Sequence, residues 1–309
     1  MKNFINLKDI STEDLRKILD DAKKRKSKRK NLNTLEADND RPLKGKLLVQ
    51  MYEKPSSRTR LSFHISINQL AASSVTVKAS ELHLGKGGES LEDTAKILST
   101  YGDGFLLRTD SDKKIEDFSK NLTIPIINLL SPSSHPCQVL SDIFTIEEIK
   151  KKPISKLNIC WVGDCNNVLN SLIAVSIKFK FKLNIGCPKS YRPPKFVMDW
   201  VKKNKGKVNI FNNPEKAAIN ADVVFTDKVF SLNDKVNKVK KIKDFKNYRI
   251  SSNLMKVTRP NSIFLHCLPR GDEVSDEVFF GKQSKVWQQA LNRVHVQKSI
   301  LLYSFGKLR

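Results

Sequence analysis

The stretch Lys46–Phe63, KLLVQMYEKPSSRTRLSF, decides how this chain is read. An apolar run ends near Tyr52, a turn contains Pro55, and Ser56-Ser57-Arg58-Thr59-Arg60 opens an amphipathic segment, so the pattern is strand, turn, helix. A helix start presents unpaired backbone N–H groups and the positive end of the dipole, so an anion fits there. Hydroxyls on Ser56, Ser57 and Thr59 add donors, and Arg58 supplies a planar fork matched to phosphate oxygens. The same residues also suit a plain serine cap followed by two solvated arginines. The segment lacks GxxxxGK and is therefore no Walker loop.

Working outward, the same rhythm recurs. Apolar runs at SSVTVKA, GFLLRTD and IPIINLL alternate with helix-like stretches such as SLEDTAKILSTY. From about Pro153 it restarts, with strand candidates in KLNICWVGD, FKLNIGCP, KVNIFN, ADVVFTD and NSIFLHCLP. Alternation of this kind predicts an α/β chain of two domains, each a mainly parallel sheet flanked by helices. The length of 309 residues also suggests two domains, on roughly 100–200 residues each. The boundary is placed at 148/149, giving residues 1–148 and 149–309, joined by the helix that starts around Cys137. The final segment, SKVWQQALNRVHVQKSILLYSF, reads as a long helix crossing back to the first domain.

Composition narrows the function classes. The five cysteines, Cys137, Cys160, Cys165, Cys187 and Cys267, are scattered without a CxxC pair or a Cys/His cluster at metal spacing, which argues against a disulfide framework or a zinc site. No segment offers the ~20 apolar residues of a membrane span. The start, MKNFINLKDISTEDL, is acidic and lacks an apolar targeting core, so a cytoplasmic protein is expected. The net charge of +24 concentrates in runs such as Lys23–Lys30, KKRKSKRK. No nucleic-acid-binding motif accompanies them, so they are read as a solvated basic face, with a basic nucleic-acid-binding protein as the rival from another class.

In open parallel sheets ligands bind beyond the carboxyl ends of the strands, so the residues that follow each strand matter most. Arg108 and Thr109 follow GFLL. His135, Pro136 and Gln138 occupy another strand-to-helix turn, where His135 is either a ligand or a satisfied core histidine. Arg, hydroxyls, His and an amide on three strand ends suit a small phosphorylated carbonyl compound. In the second half, WVGDCNNVLNSLIAV has the single glycine Gly163 where a dinucleotide fingerprint needs three, which argues against an NAD-linked dehydrogenase. Asn166 and Asn167 are turn formers or amides aimed at a carboxylate. Asp227 either pairs with an ammonium or caps a turn. Cys267 ends another strand, as a reacting group or a small buried apolar side chain.

The segments SSRTR, LRT, HPCQVLSD, GDCNNV, TDKVFSL, HCLPR and NRVHVQK occur in the order and at the spacings of the ornithine carbamoyltransferases. The chain resembles that family from about Phe4 to Leu302. SxRTR and HPxQxLxD are shared with aspartate carbamoyltransferases, whereas the Asn pair, the Asp-x-x-x-Ser loop and HCLP are more specific to the ornithine branch. The resemblance implies a carbamoyl phosphate-binding domain followed by an ornithine-binding domain. Ser56, Ser57, Arg58, Thr59 and Arg108 would hold carbamoyl phosphate, with His135 and Gln138 near its carbamoyl part and Arg293 on the same side. Asn167, Asp227, Ser231 and Leu232 would bind ornithine, and Cys267 and Leu268 would line the reacting amine beside the carbamoyl group. Arg58, Arg108, His135 and Cys267 would be catalytic. The resemblance further implies a homotrimer or a multiple of trimers, no metal and no organic cofactor. A carbamoyltransferase for another amine, such as putrescine, is the alternative among enzymes. Two departures bear on affinity and on the contact between subunits. Ser231-Leu232-Asn233 stands where the family usually has Ser-Met-Gly, and His83 where it often has Gln.

Overall fold

Nine strands form in the computed structural model, which describes residues 1–78, 88–230 and 238–308. Each falls in one of the nine apolar runs named above. The chain divides into one unit of Met1–Ser141 with Leu291–Arg309, and another of Asp142–Ala290. His83 and the Ser231-Leu232-Asn233 departure lie outside the described residues.

The first unit opens with helix α1 (Thr12–Ser27), capped by Ser11, whose hydroxyl accepts from Asp14 N–H at 3.0 Å. Then follow β1 (Leu47–Tyr52), α2 (Arg58–Gln69), β2 (Ser73–Lys78), α3 (Leu91–Tyr101), β3 (Gly104–Arg108), α4 (Asp112–Asn121) and β4 (Ile126–Leu130). The strands pair in the order β2-β1-β3-β4, all parallel. Residues of β3 and β4 are almost wholly buried, as strands covered on both faces should be, whereas SSVTVK alternates and forms the half-exposed β2 at the edge.

Helix α5 (Pro136–Lys150) leads into the second unit: β5 (Asn158–Val162), α6 (Asn167–Phe179), β6 (Lys182–Gly186), α7 (Lys195–Lys203), β7 (Val208–Phe211), α8 (Pro214–Ala218), β8 (Val223–Thr226), α9 (Lys238–Phe245), α10 (Ser252–Lys256), β9 (Ile263–His266) and α11 (Asp276–Phe279). This sheet is also parallel, in the order β7-β6-β5-β8-β9. Helix α12 (Val286–Ser304) begins in the second unit and belongs to the first from Leu291 onward. No helix among the described residues is long and apolar enough to cross a membrane.

The strand orders place the sites. Each sheet has one point where the chain reverses its direction of growth, between β1 and β3 in the first and between β5 and β8 in the second. There the connections leave on opposite faces, and a crevice opens at the carboxyl ends.

The basic run Lys23–Lys30 corrects the expectation of a wholly solvated face. Arg25 and Arg29, one helical turn apart, point inward. Arg25 bonds Asp21 and Asp38 at 3.0 Å and Asp40 at 2.9 Å, and Arg29 bonds Asp38 at 2.7 Å. Lys298 of α12, fully buried, donates to both oxygens of Asp38 at 3.0 Å. Burial pulls the Lys298 ammonium down to about 8, with Asp38 opposing, so it stays charged at neutral pH. Arg25 lies on α1 and Arg29 just past its end; Asp21 is one turn back on the helix, but Asp38 and Asp40 sit in a loop and could not be assigned from the pattern.

Asp38→Asn leaves Lys298 buried without a carboxylate. It is expected to destabilise the chain by about 3–5 kcal/mol, read from urea unfolding of the purified variant. A loss below ~1 kcal/mol would mean the cluster behaves like a surface ion pair.

Candidate active site

In the first unit the site grows from the break after β1. Ser57 precedes α2 with helical backbone angles and makes no side-chain cap, so the plain serine-cap reading fails at this residue. The Ser56 hydroxyl instead accepts from Arg108 Nη1 at 2.9 Å, tying the end of β1 to the end of β3 across the reversal point. The Nε of Arg108 is buried and has no hydrogen-bond partner among the described residues. Burial lowers its pKa, opposed by Tyr52 and helped by the like charge of Arg58.

Arg293 reaches the same place from α12. It is only 4% exposed, and it donates to the Gln138 side chain and to the Thr59 hydroxyl, both at 2.8 Å. These two bonds fix the guanidinium in place. His135 is buried among these cations. Burial first, then Arg293, Arg108 and Arg58, hold its pKa well below the usual histidine range, so the imidazole is neutral at pH 7. Ser56, Thr59, Arg108, His135, Gln138 and Arg293 are therefore brought together, with Arg58 close enough to act on His135 and Arg108. Ser57 sits exposed at the start of α2. A dianion with a carbonyl group matches this set, because desolvated guanidiniums bind oxyanions strongly.

In the second unit the break after β5 requires Gly163. Its φ is +134°, and a Cβ there would meet the Thr226 hydroxyl at 3.1 Å. The turn beyond it is pinned through Asp164, whose carboxylate pairs with the buried Lys241 at 2.7 Å and whose carbonyl accepts from Trp161 Nε1 at 3.1 Å. Asn166 then caps α6, its oxygen accepting from Val168 and Leu169 N–H at 3.0 and 3.2 Å.

The amide nitrogen of Asn166 donates to Asp227 at 2.6 Å, across the β5/β8 reversal point. The other oxygen of Asp227 accepts from the Cys267 thiol at 3.0 Å. Both readings of the Asn pair thus meet in Asn166, which forms the turn and also faces a carboxylate. Asn167 is the first residue of α6. The resemblance assigns ornithine binding to Asn167, whereas the amide that reaches Asp227 is that of Asn166. The available signal was an Asn directly before an apolar helical run.

After Cys267 the backbone turns sharply. Leu268 has φ +61°, a costly conformation for a branched residue, and its N–H donates to His266 Nδ1 at 2.8 Å. The other ring nitrogen of His266 pairs with Glu273 at 2.9 Å. Burial raises the Glu273 carboxyl, but bonds from His266 and Gly271 outweigh it and hold the group below its usual range. Asp227, His266 and Cys267 each bring an atom within 4.8 Å of the others, a metal-like grouping. Both imidazole nitrogens are committed, however, which leaves this histidine no lone pair to give a metal. Ser231 and Leu232 lie outside the described residues.

Comparison with known proteins agrees with this division of labour. Residues 2–148 match the model of the aspartate/ornithine carbamoyltransferase carbamoyl-P binding domain, and residues 155–304 that of the Asp/Orn binding domain. The chain is 39% identical over 308 residues to an ornithine carbamoyltransferase of Mesorhizobium japonicum, covering 99% of each chain. It is 40% identical over 307 residues to one of Rhodopseudomonas palustris, covering 99% of this chain and 97% of the relative. The solved ornithine carbamoyltransferase of Pyrococcus furiosus superposes with a TM-score of 0.91 at 35% identity, covering 100% of this chain and 98% of that one. Two reversal points, one lined by guanidiniums and one by a carboxylate, thus sit on a chain that belongs to the aspartate/ornithine carbamoyltransferase family of transferases and is similar over its length to the ornithine members.

Proposed function

We propose that the chain transfers the carbamoyl group of carbamoyl phosphate to the δ-amine of L-ornithine, giving L-citrulline and phosphate. What supports this most is the complementary charge at the two reversal points, with Arg58, Arg108 and Arg293 in one unit and Asp227 in the other. Ser56, Ser57, Arg58, Thr59, Arg108 and Arg293 hold the phosphate of carbamoyl phosphate, and Gln138 and His135 face its carbamoyl part. Asp227 accepts the α-ammonium of ornithine, with Asn167, Ser231 and Leu232 on the amino-acid end. Cys267 and Leu268 line the δ-amine beside the carbamoyl group. The enzyme works in arginine metabolism, in the cytoplasm, as a homotrimer or a multiple of trimers.

The chemistry is attack of an amine on an activated carbonyl, followed by loss of phosphate. With a pKa near ~10.4, only about one δ-amine in 10³ is neutral at pH 7.4, a cost of ~4 kcal/mol that desolvation in the site reduces. Negative charge develops on the carbonyl oxygen and then on the leaving phosphate. His135, neutral and buried, lends an N–H to the first without competing for a proton, and Arg58 and Arg108 take up the second. The Cys267 thiol, already bonded to Asp227, orients the amine.

Three outcomes are expected. Ornithine should be carbamoylated with a higher kcat/KM than putrescine, which lacks the α-ammonium that Asp227 would hold. Equal or better use of putrescine in parallel assays would remove ornithine as the substrate while leaving the family intact. Arg58→Lys keeps the charge but loses the planar fork, so kcat/KM for carbamoyl phosphate should fall by on the order of 10²-fold or more; near-normal kinetics would reduce SSRTR to a helix start. Finally, His135 has a depressed pKa in the folded state, so its neutral form persists on acidification through the ordinary range near 6.5. Histidine ring signals in NMR, assigned with His135→Asn, should show no His135 titration between pH 8 and 6. A midpoint in that interval would contradict the neutral-donor role.

A further inference from the structure

Helix α9, KVKKIKDF, is turned against its own sequence. Val239 and Ile242, three residues apart and so on one face, are 76% and 60% exposed, while Lys241 is 1% exposed. Lys238, Lys240 and Lys243 remain in solvent. Hydrophobic burial would rotate this helix the other way, with Val239 and Ile242 inward. Phe245, one turn beyond Lys241, is the other buried residue of the helix. The Lys241 ammonium donates to the Asp164 carboxylate at 2.7 Å. It also lies 5.7 Å from the ring centroid of Tyr191 and 5.8 Å from those of Phe230 and Phe245, within the reach of a cation–π contact. The Tyr191 and Phe245 rings pack 4.8 Å apart, and the Tyr191 hydroxyl donates to Asp244 at 3.1 Å.

Two of these contacts lead to the carboxylate grip. Asp164 stands two residues before Asn166, whose backbone N–H donates to the Asp164 carbonyl at 3.1 Å. Phe230 stands three residues after Asp227. One buried ammonium therefore touches both of the stretches that the Asn166–Asp227 hydrogen bond joins, one following β5 and the other following β8. Stability alone is a poor reason for such a pair. Taking two charges out of water costs several kcal/mol each, and apolar residues of similar volume would serve the core as well. What the pair adds is direction, because a charge-assisted hydrogen bond fixes its partner more closely than apolar packing does.

We propose that Lys241 is a positioning residue for ornithine, which holds Asn166 and Asp227 in mutual register through Asp164 on one side and Phe230 on the other. The Asp227 carboxylate then meets the α-ammonium already aimed, and less freedom is lost on binding. Carbamoyl phosphate is taken by residues of the first unit, so its binding is independent of Lys241. The effect on ornithine rests on the proposed reaction, whereas the effect on the Asn166 side chain does not.

The test compares the purified full chain with Lys241→Met and with the double variant Lys241→Met/Asp164→Asn, by urea unfolding and by steady-state kinetics. Lys241→Met leaves Asp164 without its cation. It should lower stability and raise the ornithine KM by on the order of tenfold, with a smaller change in kcat and the carbamoyl phosphate KM unchanged. The double variant removes both charges, so stability should recover while the ornithine KM stays raised. An ornithine KM that recovers together with stability would make the pair a structural one and overturn the proposal. An unchanged ornithine KM in both variants, or an equal rise in both KM values, would overturn it as well. If Lys241→Met alone does not fold, the double variant carries the same comparison. The NMR signals of the Asn166 side-chain amide, identified by their loss in Asn166→Ser, should move and exchange faster with water in the double variant. Should ornithine prove not to be a substrate at all, these signals still decide, and their standing unchanged would show that Lys241 does not set Asn166.

Discussion

Buried guanidinium charge at the β1/β3 reversal point is the constraint on which the first unit depends. Taking a guanidinium out of water costs several kcal/mol unless an anion accompanies it. Arg293 is almost fully buried, yet its bonds run to an amide and a hydroxyl, and Arg108 rests on a serine hydroxyl. Those neutral acceptors help to fix the two forks in place. The expense is met elsewhere in the same unit. Asp38 gathers Arg25, Arg29 and Lys298 into an ion cluster that anchors α12, the helix that delivers Arg293. His135 follows from the same constraint, since three cations and burial leave it only its neutral form at pH 7.

The second unit solves a different problem, that of holding one carboxylate in a fixed direction. Asp227 is gripped on one oxygen by Asn166 and on the other by Cys267. Each of these is supported in turn. Asn166 is set by its cap and by the Asp164–Lys241 pair one turn earlier, and Cys267 by the His266–Glu273 pair and the left-handed Leu268 that follows. Rigid support of this kind lowers the entropy lost when a ligand is bound.

Most of this fold could be read from hydrophobic patterning, because parallel strands buried on both faces are written as uninterrupted apolar runs, as in VVFT and IFLH. The functional strand ends could be read too, since Arg108 ends such a run, Asp227 and Cys267 directly follow one, and His135 stands in the turn after another. The order of strands, and hence which ends meet, could not, because it depends on pairing between distant segments. For the same reason the basic run at Lys23–Lys30 looked solvated until Asp38 and Asp40 were placed beside it. Asn166 and Asn167 could not be told apart by residue type, and only the helix start separates their roles.

The central claim is that Arg108, held at the β1/β3 reversal point by a serine hydroxyl, receives a phosphorylated carbonyl compound. The most direct measurement is calorimetric titration of the purified chain with a non-hydrolysable phosphonate analogue of carbamoyl phosphate, in parallel with Arg108→Met. One site per chain, weakened by added salt and abolished in the variant, is the predicted result. Binding of equal strength in Arg108→Met would contradict it, because the anion would then be held somewhere other than the β1/β3 reversal point.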